Sequence, residues 1–76
     1  MERKIVIGGK YKHFKGNEYL VLMLAKDSET GEEVVVYKAL YGNNDIWVRP
    51  LKMFLEQITR YGEKINRFEL VMGEIE

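Results

Sequence analysis

The residues best suited to bind a ligand are three aromatic side chains and one arginine near the middle of the chain. Tyr37, Tyr41, Trp47 and Arg49 all fall within residues 37–49. An arginine guanidinium stacks on aromatic rings and offers a planar fork of donors to carboxylates or phosphates. Trp47 and Arg49 are two residues apart, so they would share one face of a strand. This set indicates a surface for a peptide, a nucleotide base or a modified cation.

Each of these side chains also has a structural alternative that the sequence leaves open. Tyr37, Tyr41 and Trp47 could fill the core, because aromatic side chains bury a large area. Arg49 could instead form an ion pair with Glu33 or Glu56. For two further aromatic residues, Phe54 and Phe68, we expect a core position.

The sequence contains few of the residues that enzyme catalysis uses. His13 is the one histidine, Ser28 is the one serine, and the chain has no cysteine. No nucleophile and base can be paired from these residues. One histidine with scattered carboxylates also lacks metal-ligand spacing, so we expect neither a metal nor a cofactor. We expect His13 to be a packing or surface residue, and we keep it as a candidate binding contact.

Composition limits the partners. The 76 residues carry 12 basic and 12 acidic side chains, so the formal net charge is zero. Residues 1–16 sum to +4 and residues 17–45 to −4, a distribution that ordinary solvated faces explain. A nucleic-acid binder is usually basic overall. The lack of cysteine, of a signal-peptide pattern and of an apolar run near the ~20 residues of a membrane span fits a cytoplasmic protein.

The pattern along the chain predicts a mostly β fold in one domain. Residues 1–9 would be an N-terminal arm or edge strand, residues 10–72 a single β-barrel domain, and residues 73–76 a tail. The clearest strands are Tyr19 to Lys26, Glu32 to Tyr41, Ile46 to Arg49 and Arg67 to Met72. The first of these is apolar on both faces, which predicts a central strand covered on both sides. Short strands at such intervals favour a small antiparallel barrel.

One helical segment is predicted near residues 50–58. Pro50 suits the first helical position, and Leu51, Phe54, Leu55 and Ile58 follow helical spacing. About two turns would be marginal without packing. The alternative is a single tight turn over residues 50–54 followed by a strand.

The residues match the pattern of a known family in order along the chain. The matching stretches are Tyr11-Lys12-His13-Phe14-Lys15-Gly16, Ser28-Glu29-Thr30, Glu32-Glu33, Val35-Val36-Tyr37, Ala39-Leu40-Tyr41-Gly42, Trp47-Val48-Arg49-Pro50, Met53-Phe54 and Arg67-Phe68. They resemble short bacterial proteins of unknown function, catalogued as DUF1653. At position 27 that pattern expects a histidine, where this chain has Asp27. The resemblance implies a small SH3-like β-barrel and no established activity.

We therefore expect an uncharacterised bacterial domain that acts as a non-catalytic protein- or peptide-binding module. Its expected binding residues are Tyr11, His13, Tyr37, Tyr41, Trp47 and Arg49. Two alternatives stay open. One is a single-stranded nucleic-acid binder that uses Lys10, Lys12 and Lys15 for phosphates. The other is a small-ligand-sensing domain, or a small hydrolase, built on His13 and a carboxylate.

Overall fold

The structure is a computed structural model that describes residues 4–73. Residues 1–3 of the predicted arm and residues 74–76 of the predicted tail lie outside the described residues. Within the described range, no helix is long and apolar enough to cross a membrane.

Seven strands and one short helix follow each other along residues 4–73. They are β1 (Lys10–His13), β2 (Glu18–Lys26), β3 (Glu33–Ala39), β4 (Ile46–Pro50), α1 (Leu51–Phe54), β5 (Gln57–Arg60), β6 (Glu63–Asn66) and β7 (Phe68–Met72). Five of the strands form one antiparallel sheet in the order β4-β3-β2-β1-β7. The other two, β5 and β6, form a separate antiparallel hairpin. The predicted mostly β class with one short helix is confirmed.

The larger sheet is not closed, so residues 4–73 lack the closed barrel that the sequence predicted within its mostly β class. Its outer strands are β4 and β7, and no pairing joins them within residues 4–73. The sheet is nevertheless strongly curled. Three strand spacings separate β3 from β7, which would be about 14 Å in a flat sheet. The rings of Tyr37 on β3 and Phe68 on β7 lie only 5.7 Å apart. β5 and β6, which lie between β4 and β7 in the sequence, pair with each other and do not connect β4 to β7.

The predicted helix is shorter than residues 50–58. It ends at Phe54, with the Leu55 N–H donating to the Leu51 carbonyl at 3.0 Å. Ile58 lies in β5, opposite Ile65 in the hairpin. The alternative of one turn followed by a strand is confirmed. The helical spacing arose because Leu51, Phe54 and Leu55 turn towards the core before the chain becomes extended.

The core is small and mainly aromatic. Its buried members are Tyr11, Val21, Val35, Tyr37, Phe54 and Phe68. The rings of Phe54 and Phe68 stack in parallel, with centroids 4.0 Å apart and planes 5° apart. Tyr11 and Tyr37 each meet Phe54 edge-on at 5.3 Å. The core positions predicted for Phe54 and Phe68 are confirmed.

The segment before β1 contacts this core. Ile5 and Val6 pack against the buried cluster. The Gly8 N–H donates to the Val21 carbonyl at 2.8 Å, and the Val21 N–H donates to the Gly9 carbonyl at 3.0 Å. Gly9 has no room for a side chain, because an added Cβ would lie 2.9 Å from the Val6 carbonyl oxygen. The boundary predicted after residue 9 stays a prediction. Ile5 and Val6 pack against the core and Gly8 and Gly9 bond to β2, while Ile7 is 45% exposed.

The centre of the sheet is β2, as predicted, but the prediction that both of its faces are covered is wrong. Met23 is 53% exposed and Leu24 is 36% exposed. The register with β3 shifts between Val21 and Met23, so the strand bulges at Leu22. A bulge adds a residue and bends the strand. The second half of β2 therefore leaves the covered region.

Asp27 shapes the turn between β2 and β3. Its Oδ1 accepts hydrogen bonds from the Glu29 and Thr30 N–H groups at 2.8 and 3.2 Å. Short polar side chains commonly cap turns in this way. A histidine expected at this position in relatives would have to hold the turn by another contact.

Replacing Phe54 with alanine tests the aromatic core. Phe54 is fully buried, so we expect F54A to lose about 3–5 kcal/mol of unfolding free energy. The matched control is M53A, one residue earlier on α1, where the side chain is 39% exposed. We expect M53A to lower the unfolding free energy by much less than F54A does. Urea unfolding followed by circular dichroism measures both, and equal losses would contradict this core.

Candidate functional site

The outer edge of β4 offers unpaired backbone groups. The Ala39 N–H donates to the Asp45 carbonyl at 2.8 Å, and the same register places Tyr37 opposite Trp47 and Val35 opposite Arg49. Hydrogen-bonded pairs alternate along antiparallel strands, so the backbone groups of Trp47 and Arg49 point towards β3. Those of Ile46 and Val48 point away from it. We call these outward groups the β4 edge.

The β4 edge is open to solvent. Ile46 is 60% exposed, Trp47 is 51% exposed and Val48 is 64% exposed. Pro50 lies an even number of residues from Ile46 and Val48, so its backbone nitrogen also points away from β3. The lack of an N–H at Pro50 therefore breaks no hydrogen bond to β3. No strand within residues 4–73 pairs with this side of β4. An extended chain could therefore add here as a sixth strand.

Trp47 and Arg49 lie on the core side of the sheet. Directly opposed residues in an antiparallel pair point to the same face. Trp47 therefore lies beside the buried Tyr37, and Arg49 beside the buried Val35. With Trp47 at the margin of the sheet, half of its surface stays free. No ring contact or hydrogen bond joins its indole to another described residue.

Arg49 is held by aromatic residues rather than by an acid. Its Nε donates to the Tyr37 hydroxyl at 3.3 Å, and its guanidinium carbon lies 5.6 Å from the centre of the Phe68 ring. The alternative ion pairs with Glu33 and Glu56 are not found. Glu56 instead bonds Arg67, with 2.7 Å between Oε1 and Nη2. Arg49 is thus oriented by one nitrogen while the rest of its fork makes no bond to a described residue.

Tyrosines extend this surface along the sheet. Tyr41 is 44% exposed, and its hydroxyl lies 2.9 Å from the hydroxyl of Tyr19. The Tyr19 ring meets those of Tyr37 and Tyr41 edge-on at 5.3 and 5.6 Å. Burial, followed by the hydrogen bond with Tyr41, raises the pKa of Tyr19 to about 12. Its hydroxyl therefore stays protonated at neutral pH. We call Tyr19, Tyr41, Trp47 and Arg49, together with the buried Tyr37 that Tyr19, Trp47 and Arg49 contact or oppose, the aromatic–arginine face.

Two predicted binding residues lie elsewhere. Tyr11 is 2% exposed, and its hydroxyl accepts a hydrogen bond from the Val6 N–H at 3.0 Å, so it anchors the N-terminal segment. His13 packs edge-on against Phe68 at 4.9 Å. It also borders an open cleft of about 230 Å³. The cleft is lined by Lys12, His13, Phe14, Ile65, Asn66 and Glu69.

Positive charge surrounds His13. Its pKa lies below the ordinary 6.5 because of burial first, and then because of the charges of Arg49, Lys15 and Arg67. Its Nδ1 accepts a hydrogen bond from the Lys15 N–H at 3.1 Å, which places the proton of the neutral ring on Nε2. His13 and Arg49 both lie against the Phe68 ring, so the charges of Arg49, Lys15 and Arg67 form one electropositive region there, which Glu56 and Glu69 partly offset.

Among residues 4–73, no group of three or more His, Cys, Asp or Glu side chains could hold a metal ion. The sequence pattern brought together Tyr37, Tyr41, Trp47 and Arg49, whose binding role stays a prediction, as does that of Tyr11 and His13. It did not single out Tyr19, nor the edge residues Ile46 and Val48. For the edge, the available signal was Pro50, which belongs at a strand end or edge.

A curled antiparallel sheet with a short helix and a separate hairpin defines a small, mostly β domain, a class of fold that does not by itself define a function. Residues 9–70 match a family described as a protein of unknown function, DUF1653. The chain belongs to that family.

One solved structure shares the fold closely. It is a crystal structure of a protein belonging to the DUF1653 family from Bordetella bronchiseptica. This chain is 37% identical to it, and the match covers 91% of this chain and 90% of that one, with a TM-score of 0.78. No curated protein matches the chain.

Titration of His13 tests the electropositive region. The pKa of His13 is lower in the folded chain than its ordinary value of 6.5, so the unfolded chain binds a proton more readily. The contribution of His13 to the unfolding free energy is therefore fully present above pH 6.5 and is lost as the pH falls through the folded-state pKa. We expect R49Q to raise the His13 pKa towards 6.5. We expect R49K, which keeps the charge, to leave it low. Nuclear magnetic resonance of the single histidine measures the pKa directly, and an unchanged value in R49Q would contradict this electrostatic account.

Proposed function

We propose that this chain is a non-catalytic module that binds an extended segment of another protein in the bacterial cytoplasm. The segment adds as a strand to the β4 edge. The observation that carries the proposal is the pair of outward-facing backbone positions, Ile46 and Val48, on either side of the half-exposed Trp47. Adding a strand to a sheet edge is a common way to bind a peptide, with main-chain hydrogen bonds supplying affinity.

The side chains of β4 support this use of the edge. Folded proteins usually protect an exposed edge with charges, bulges or covering segments. Here Ile46, Trp47 and Val48 form three consecutive exposed apolar residues. Pro50 ends the edge, so a partner strand would gain bonds at Ile46 and Val48. Alternating side chains of the partner would meet Trp47 and Arg49 on one face, and Ile46 and Val48 on the other.

The aromatic core makes the inner face of the sheet rigid, which also supports the proposal. The rings of Phe54, Phe68 and Tyr37 fix the inner face of the sheet, and the hydroxyl of Tyr37 holds Arg49. A preorganised surface loses less conformational entropy when it binds. Trp47, at the margin of this platform, is the residue whose surroundings a bound peptide would change most.

Variants at Val48 test the proposal. V48P removes the outward N–H and places a ring on the β4 edge, while the β3 ladder keeps all its bonds. V48T keeps the N–H and serves as the matched control. A displayed library of random octapeptides is selected against the wild type, and binding of the selected peptides is followed by Trp47 fluorescence. We expect V48P to weaken binding about tenfold or more, equivalent to about 1.4 kcal/mol. We expect V48T to change it less than threefold.

Two results would contradict the proposal. One is that the wild type enriches no peptide beyond the background of V48P, with both proteins folded by circular dichroism. The other is a homodimer in sedimentation that V48P dissociates, because the edge would then serve self-association.

A different patch favours the nucleic-acid alternative. At the β5–β6 turn, the Arg60 guanidinium lies 5.3 Å from the Phe14 ring and 5.1 Å from the Tyr61 ring, and Tyr61 is 90% exposed. Exposed rings beside cations can stack on single-stranded bases. Lys10, one of the three predicted phosphate contacts, instead pairs with Glu18 at 3.1 Å.

A titration with oligothymidylate at low salt tests this second candidate. Binding through the patch should weaken in Y61A and fall with added salt. The β4 variant V48P should leave it unchanged. A flat titration of the wild type would remove the nucleic-acid alternative.

A further inference from the structure

We infer that the bound segment carries a carboxylate, which the guanidinium of Arg49 receives beside an apolar residue on Trp47. This inference rests on the proposed function, and it names the class of partner. Arg49 has one nitrogen, Nε, engaged by a neutral group, the Tyr37 hydroxyl. A planar guanidinium oriented in this way presents its remaining donors in the geometry that suits a carboxylate.

The ion pairs within the described part of the fold leave Arg49 without an acidic partner, which supports an acidic ligand. Three ion pairs are present within residues 4–73: Lys10 with Glu18, Lys52 with Glu32 and Arg67 with Glu56. Arg49 belongs to none of them. An arginine that is partly buried, yet has no acid beside it, gains more from a partner's acid than an exposed one would.

The neighbouring charges act in the same direction. Arg49, Lys15 and Arg67 all raise the positive potential at His13, which lies with Arg49 around the ring of Phe68. Glu56, the acid that pairs with Arg67, offsets part of this charge. Around His13 the three cations Arg49, Lys15 and Arg67 outnumber the two acids Glu56 and Glu69, which favours an anion over a second cation at Arg49. A lysine or arginine at the same place in the partner would be unfavourable.

Strand geometry sets the spacing of the partner residues. A strand added to the β4 edge would lie about 4.8 Å away, with side chains on one face two residues apart. The residues opposite Trp47 and Arg49 would then be separated by one residue. The inferred partner is an extended segment with an aliphatic or aromatic residue and an acidic residue at positions i and i+2, in either order.

The test uses the octapeptides selected on the wild type, made with acetylated and amidated ends. In each one the acidic residue is replaced by its amide, Glu by Gln or Asp by Asn. We expect this change to weaken binding about tenfold on the wild type and less than twofold on R49Q. R49K keeps the charge but loses the fork, so we expect an intermediate effect.

A second arm separates the two sources of a carboxylate. The amide-substituted peptide is shortened so that it ends at the substituted residue. Two forms are compared, one with a free C-terminal carboxylate and one with an amidated C-terminus. Recovery of affinity with the free end would assign the Arg49 site to a chain terminus. No recovery, together with the loss on substitution, would assign it to an acidic side chain.

The outcomes distinguish this inference from the proposal beneath it. If no peptide binds, both fail. If peptides bind the wild type and lose affinity on V48P, the edge is used. The inference alone is then overturned if acidic residues are not enriched, or if amide substitution weakens binding equally on the wild type and R49Q.

Discussion

The parallel stack of Phe54 on Phe68 is the contact on which this fold depends. It joins the short helix to the last strand, and the rings of Tyr11 and Tyr37 meet Phe54 edge-on. A chain of 76 residues can bury only a thin core, so a few large rings must supply most of the buried apolar surface. To enclose those rings, the sheet curls until side chains of its outer strands meet. Arg49 on β4 thereby lies over Phe68 on β7.

The same constraint leaves the two outer strands, β4 and β7, each unpaired on one side. Within residues 4–73, β5 and β6 pair only with each other, so they do not bridge β4 and β7. The backbone at Ile46 and Val48 then has solvent, rather than another strand, beside it. Because Trp47 and Arg49 alternate with these positions, β4 carries both the edge and two members of the aromatic–arginine face. A partner that pairs with the backbone necessarily meets both side chains.

Much of this could be read from the sequence, and the exceptions have physical reasons. The strand of valines and tyrosines in β3, the stop at Pro50 and the core role of Phe54 and Phe68 follow from residue type and periodicity. Periodicity could not separate a helix from a turn and strand over residues 50–58, since both bury Leu51, Phe54 and Leu55. The bulge at Leu22 left no pattern, because that stretch is apolar throughout. Burial of Tyr11 and Tyr37, and exposure of Trp47, depend on how far the sheet curls, which no local pattern encodes.

The central claim is that alternate backbone amides of β4 face solvent, and amide hydrogen exchange of the free protein tests it most directly. The account predicts fast exchange at Ile46 and Val48 and slow exchange at Trp47 and Arg49, whose amides bond to β3. A bound peptide should slow exchange at the first two amides and leave the last two unchanged. Protection of Ile46 and Val48 in the free monomer, equal to that of their neighbours, would contradict the account.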